Sequence, residues 1–384
     1  MKTEQFPVIV DYIKSLYPGE VPVPLHAPRF LGNEKKYLGE CIDTTFVSYV
    51  GKFVTQFEEV TAAYTGCARA VALVNGTAAL HMALVSLGVG QNDEVITQPL
   101  TFVATCNAIR HAGAWPCFVD VEKTALGICP QALKEFLTKN TSRKADGQLY
   151  NNLTGRRIAL CVPMHTFGFL SFIDEIIEVC EEFKIPVLED AAEALGSFVG
   201  KRHAGSIGVA GILSYNGNKP VTTGGGGMFI TNNNELADRV RHLSTTAKKA
   251  HAYKFEHDEV GYNLRLPNVN AAIGCAQMES FPLVLESKQE LGKLYSSFFS
   301  NLGISCIQER PSTSPNYWLN AILAKDREQR DQFLQYAIEQ KVQARPAWTL
   351  MNDLPMYKNC ASTPIPNARY LEDRIINLPS SYRA

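Results

Sequence analysis

The chain reads as an α/β protein: a large domain built on a mostly parallel mixed sheet, followed by a smaller α+β domain. Short apolar runs alternate with helical patterns through the first part of the sequence, and a turn after the first run opens directly into a helix. Past Val269 this alternation gives way to long helical stretches with a single strand between them. At 384 residues the chain is long for one simple core, so an N-terminal segment (1–30), a large domain (31–280) and a small C-terminal domain (281–384) are expected.

The first strand is expected at 69–74, Arg-Ala-Val-Ala-Leu-Val, after which Asn75-Gly76-Thr77 leads into a helical run from Ala78. Further strands are expected at 94–97, 117–121, 158–163 and 186–189, with helices at 130–137 and 173–183 among them. In the last part, one apolar helix runs to Met278, a second spans 284–299, a strand lies at 317–323 and a helix at 327–339. The sequence holds no internal repeat and no low-complexity segment.

Composition narrows the function classes. Apolar residues make up 46%, charged residues 20%, and the formal net charge is −1, a soluble globular profile without the basic excess that nucleic acid binding favours. No nucleic acid or membrane partner is expected: the first residues lack a signal-peptide core and no apolar run is long enough to cross a bilayer. A cytoplasmic location follows as the expectation. Ten cysteines, scattered from Cys41 to Cys360, fit neither a disulfide framework nor a zinc knuckle, so reduced core thiols and no metal are expected.

Two segments carry the chemistry. Ser214-Tyr-Asn-Gly-Asn-Lys219 is followed by Pro-Val-Thr-Thr and glycines at 224–227, placing a lysine on a tight turn. Upstream, Glu189-Asp190-Ala191-Ala192-Glu193 follows the apolar run Ile185-Pro-Val-Leu188. An acid at a strand end and a lysine on a turn suggest pyridoxal 5′-phosphate, whose aldehyde needs an amine and whose ring nitrogen needs a carboxylate to stay protonated. Lys219 and Asp190 are therefore the catalytic candidates.

Gly76 and Thr77 are candidates for the phosphate cradle, because Gly76 allows a close turn, Thr77 offers a hydroxyl, and a helix N-terminus presents unpaired amides. Ser214 is a second phosphate donor. Phe102, in Thr101-Phe-Val-Ala-Thr105, stands either against the cofactor ring or in ordinary core packing. Glu193 divides between proton transfer beside the cofactor and a helix-capping carboxylate. His165, after Pro163-Met164, is a candidate for the site rim or for a structural role. Tyr317, Arg345 and Trp348 lie in segments able to border a sugar-nucleotide cleft. The glycine run has no companion Gly-Lys-Ser/Thr or spaced Rossmann fingerprint, so it reads as room for the lysine loop rather than a nucleotide site.

Taken together, the Asn-Gly-Thr-Ala-Ala-Leu turn, the Asp-Ala-Ala segment and the Ser-Tyr lysine loop resemble the DegT family of pyridoxal-phosphate-dependent sugar aminotransferases. Within it, segments at 24–30, 32–37, 46–53 and 376–381 are similar to the LegC branch, which aminates UDP-linked 4-keto-6-deoxy amino sugars. The resemblance implies an aspartate-aminotransferase-like fold (fold type I), a pyridoxamine 5′-phosphate intermediate, L-glutamate as amino-acid donor, and a homodimer with shared active sites. Gly261-Tyr-Asn263-Leu-Arg265 matches the segment that the family lends across the interface, which would bring Asn263 to the partner's phosphate. Related sugar 3-dehydratases carry histidine where this chain has Lys219, which favours transamination. Cys106 and Pro220 depart from the family pattern. Still open at this point are a lyase or dehydratase on the same cofactor, a non-catalytic sugar-nucleotide sensor, and a GDP-4-keto-6-deoxymannose substrate of the perosamine type.

Overall fold

The computed structural model describes residues 1–383. Its central sheet contains β1 (Arg69–Leu73), β2 (Glu94–Thr97), β3 (Trp115–Phe118), β4 (Ile158–Val162), β5 (Leu188–Asp190), β6 (Ala210–Ser214) and β7 (Gly227–Thr231). β2 pairs parallel with β3 and β4, and β5 pairs parallel with β6. Parallel bridges at Cys161–Val187 and Met164–Asp190 join the two ladders beside β4 and β5. β7 alone runs against its neighbours, antiparallel to β6 and β1. The expected mostly parallel mixed sheet is thus present, in the order β3-β2-β4-β5-β6-β7-β1.

Strand parity explains how helices come to cover both faces. Val71 and Leu73 of β1 enter one apolar cluster, whereas Ala70 and Ala72 enter the other. Phe229 of β7 likewise joins the first, and Met228 and Ile230 the second. The first cluster is closed by α4 (Gly76–Ser86), α5 (Val103–His111), α6 (Pro130–Asn140), α7 (Ile173–Glu182) and α8 (Asn234–Ser244). The second is closed by α3 (Lys52–Thr65) and the first half of α9 (Asn268–Asn301).

α9 corrects one expectation. The two helices anticipated through Met278 and over 284–299 are a single helix, with Pro282 inside it. Proline removes one helical hydrogen bond, yet burial on either side holds the axis together. Ala271, Ala272 and Cys275 pack into the large domain, while Leu291, Tyr295 and Phe299 pack into the small one. The small domain's core also takes Phe6, Ile9, Val10 and Ile13 from an N-terminal helix, Phe6–Leu16, together with Phe333 and Leu334 of a helix at Arg327–Glu339. Its sheet has β8 (Asn320–Leu323) and β9 (Arg345–Pro346) on either side of β10 (Ile375–Leu378), both antiparallel to it. Among the described residues all ten cysteines are free, and no helix is long and apolar enough to cross a membrane.

Candidate active site

The carboxyl ends of parallel strands leave a crevice between successive loops, and the chemical side chains gather there. A cavity of ≈ 310 Å³ is walled by the turn after β1, the start of α5, the end of β5, the loop after β6, and Trp318 and Trp348 from the small domain.

The turn after β1 is built as an anion cradle. Asn75 caps α4 with extended backbone, and its Oδ1 accepts the Ala78 amide at 2.8 Å. Gly76 and Thr77, the first helical residues, hold amides that no helical carbonyl reaches, and both residues line the cavity. A Cβ at Gly227 would fall 2.3 Å from the Asn75 carbonyl oxygen, so β7 passes beneath this turn only as glycine. Ser214, at the end of β6, closes the cradle: a Cβ at Gly76 would stand 3.2 Å from its Cβ.

Three ionisable groups face one another across the cavity. Asp190 is 2% exposed; its Oδ2 accepts the Thr105 hydroxyl at 2.7 Å and its Oδ1 the Ala192 amide at 3.2 Å. Burial pushes its carboxyl above the ordinary value, with the Thr105 bond, the Ala192 amide and Lys219 pulling back. Glu193 is also buried, with Oε2 accepting the Phe167 amide at 2.8 Å and Oε1 lying 3.2 Å from Lys219 Nζ. Burial raises the Glu193 carboxyl to about 7 against the opposing charge of Lys219. Burial lowers the Lys219 ammonium, against Glu193 and Asp190. Burial thus moves the Glu193 carboxyl up and the Lys219 ammonium down, favouring the neutral form of each.

Of the residues read from the sequence, Gly76, Thr77, Phe102, Asp190, Glu193, Ser214, Lys219 and Trp348 line this one cavity. Phe102 keeps 47% of its surface exposed and sits 5.9 Å, centroid to centroid, from Trp348. Three substrate candidates lie outside the cavity wall. His165 is fully buried, its Nε2 2.9 Å from Glu189 Oε2 and its Nδ1 accepting the Ser171 amide at 3.2 Å, so it braces the strand behind the site. Tyr317 sets its ring against Gly292 and Phe169, with its hydroxyl 3.3 Å from Glu309. Arg345 is exposed on β9, its guanidinium bonded to the Ala344 carbonyl at 3.1 Å. Asn263 is exposed and stands away from its own chain's cavity wall. Its neighbours are committed elsewhere: Arg265 pairs with Glu58 at 2.6 Å, and Asn270 donates to the Thr223 carbonyl at 2.8 Å.

Sequence reasoning passed over Asn75 as a cap, Thr105, and Trp318, whose ring centroid lies 3.5 Å from Lys219 Nζ. Thr101 and Thr105, one helical turn apart at a helix start, were a readable signal for the Asp190 bond. Trp318 had none. The donor set fits pyridoxal phosphate: a helix N-terminus with hydroxyls for the phosphate, a buried carboxylate for the ring nitrogen, and a buried amine for the aldehyde.

Comparison with known proteins agrees. Residues 30–383 match the model of the DegT/DnrJ/EryC1/StrS aminotransferase family, and the chain belongs to that family. GDP-perosamine synthase of Escherichia coli O157:H7 is 32% identical over 358 residues, covering 93% of each chain. The aminotransferase TlmJ from Streptoalloteichus hindustanus has a TM-score of 0.84 at 24% identity, covering 93% of each chain. Spr1654 from Streptococcus pneumoniae, in its PLP-form, has a TM-score of 0.82 at 21% identity, again covering 93% of each chain. The chain is therefore a fold type I, pyridoxal-phosphate-dependent sugar aminotransferase. The relative's named sugar nucleotide is GDP-linked, unlike that of the LegC branch.

Proposed function

We propose that this DegT/DnrJ/EryC1/StrS aminotransferase moves an amino group from L-glutamate to C4 of a UDP-linked 4-keto-6-deoxy-N-acetylhexosamine. The observation that carries the chemistry is the buried contact of 3.2 Å between Lys219 Nζ and Glu193 Oε1, on the same cavity wall as Asp190. When bound, pyridoxal phosphate supplies an aldehyde carbon that takes the amine and a protonated ring that stores the electron pair released at the donor's α-carbon.

Lys219 gives its proton to Glu193 and so presents a free amine. With its amine free, Lys219 Nζ would take the donor's α-proton and return a proton on the sugar side. Asp190, oriented by Thr105 and the Ala192 amide, would face the ring nitrogen and keep it protonated. The amides of Gly76 and Thr77 with the Ser214 hydroxyl anchor the phosphate, and Phe102 offers its exposed face to the ring. Asn263, exposed and uncommitted, is the residue lent to a second copy in a homodimer. Mixing Lys219→Ala with Asn263→Ala protein should then restore roughly a quarter of wild-type activity through heterodimers; no restoration counts against the shared site.

The UDP reading is supported by the LegC-like segments at 24–30, 32–37, 46–53 and 376–381. A GDP-4-keto-6-deoxymannose substrate is the second reading, favoured by the 32% identity to a GDP-perosamine synthase. The visible spectrum decides between them. L-Glutamate should convert the bound cofactor to its amine form, and the UDP-ketosugar should reverse the change. Reversal by the GDP-ketosugar alone would transfer the assignment to that nucleotide.

A further inference from the structure

One three-residue turn of the small domain reaches the catalytic lysine. Tyr317 has φ +49°, a left-handed conformation that a bulky residue adopts only where packing holds it. It carries its own ring over Gly292 and leaves Asn316 and Trp318 against the large domain. Trp318 lays its indole over Lys219, with Nζ 3.5 Å from the ring centroid, and its Nε1–H donates to the Asn218 carbonyl at 2.8 Å. Asn316 is fully buried; its Oδ1 accepts the Trp318 amide at 2.7 Å, and its Nδ2 donates to the carbonyls of Glu193 and Leu195, each at 2.8 Å. Gly168 makes way for it, since a Cβ there would fall 1.9 Å from Asn316 Oδ1.

We infer that Asn316 and Trp318 are positioning residues that close a clamp on the Lys219 amine, with the indole face on one side, Glu193 on the other, and the Asn316 amide tying the two together. The inference rests on Lys219 as the cofactor-binding amine. An ammonium over an aromatic face and beside a carboxylate is favoured from both sides, so the clamp opposes the effect of burial and fixes the direction in which the amine points. Glu193 and Asp190 support the charged form. Behind the clamp stand His26 and Lys288, both driven toward neutrality by burial, with Lys288 donating to the Trp318 carbonyl at 3.2 Å. The seating of the small domain thereby governs the position of the lysine.

The test offers pyridoxal phosphate to the cofactor-free 384-residue chain across a range of pH. Capture is followed by visible absorbance, trapped with borohydride, and located by peptide mass spectrometry. Trp318→Leu, which removes the ring face, should move the capture midpoint down by about one pH unit. Trp318→Phe, which keeps a face, should move it less than half as far. A leucine variant that is folded by circular dichroism and titrates with wild type would overturn the clamp. Should that variant not fold, Asn316→Ala decides: slower capture at every pH supports the clamp, and an unchanged rate overturns it. Capture by wild type at a different lysine would instead sink the reading of the site itself.

Discussion

Glu189 and Asp190 are neighbours on one short strand, and their side chains leave it on opposite faces into different surroundings. Glu189 is saturated: one oxygen accepts the amides of Ile207 and Gly208, each at 2.7 Å, while the other takes the Gly205 amide and the His165 ring, each at 2.9 Å. Burial pushes its carboxyl up, but the bond and charge of His165 and the amides outweigh it and hold the carboxyl below its ordinary value. Asp190, on the cavity side, has one hydroxyl and one amide, and burial prevails. A carboxylate with every lone pair used serves the fold. One left short of partners at a cavity wall has binding capacity to offer.

Substituting each acid should separate these roles, and the largest effect belongs to the cavity side. Asp190→Asn should lower kcat by about a thousand-fold with little loss of stability, because the ring nitrogen loses its ion partner while the amide still fills the space. Steady-state kinetics paired with urea unfolding reads both. Glu189→Gln should do the reverse, costing about 3 kcal/mol of stability while the folded fraction keeps kcat within a few-fold, since a saturated buried charge loses its network. If Glu189→Gln abolished turnover in a stable protein, the division between the two faces would be wrong.

The pH dependence of stability sharpens the same contrast. The folded-state value of Glu189 lies below 4.5, so its contribution is complete above that pH and is lost as pH falls through the folded value. Those of Asp190 and Glu193 are raised, so each weakens the cofactor-free protein as pH rises, Asp190 from 3.8 upward and Glu193 between 4.5 and about 7. Glu189→Gln should flatten the acid limb of the unfolding free energy, and Glu193→Gln the decline toward neutrality. Urea titrations at several pH values would show the two slopes disappear separately, or else refute the assignment.

The smallest effect is expected at the hydroxyl that still partners Asp190. Thr105→Val removes a hydrogen bond to a charged group, about 2 kcal/mol, and should push the Asp190 carboxyl further up and speed cofactor loss. Thr105→Ser should restore retention. Equal cofactor release from all three proteins, followed by absorbance during dialysis, would show that the 2.7 Å contact does no orienting.

Much of the cavity could be read in advance because its parts are local. A glycine turn opening a helix, an acid ending an apolar run, and a lysine on a glycine-rich turn each sit beside the pattern that places them, and Gly76, Thr77, Asp190 and Lys219 all reach the same wall. His165 and Tyr317 show where that reasoning ends. His165 follows a strand end just as a site residue would, yet it turns to Glu189, a partner in a different strand. Tyr317 and Trp318 are adjacent aromatics, and a left-handed backbone at the first decides that the second meets the lysine.

The one-dimensional pattern therefore determined the class of fold, the existence of β1 to β5, and the turn, acid and lysine that meet at one cavity, because strand runs and turn chemistry are settled among near neighbours. Tertiary structure decided the rest. It ran one helix through Pro282 because each half is buried in a different core, it fully partnered Glu189 and left Asp190 short, and it brought Asn316 and Trp318 onto Lys219. Those outcomes depend on packing between residues far apart in the chain, where no local preference acts.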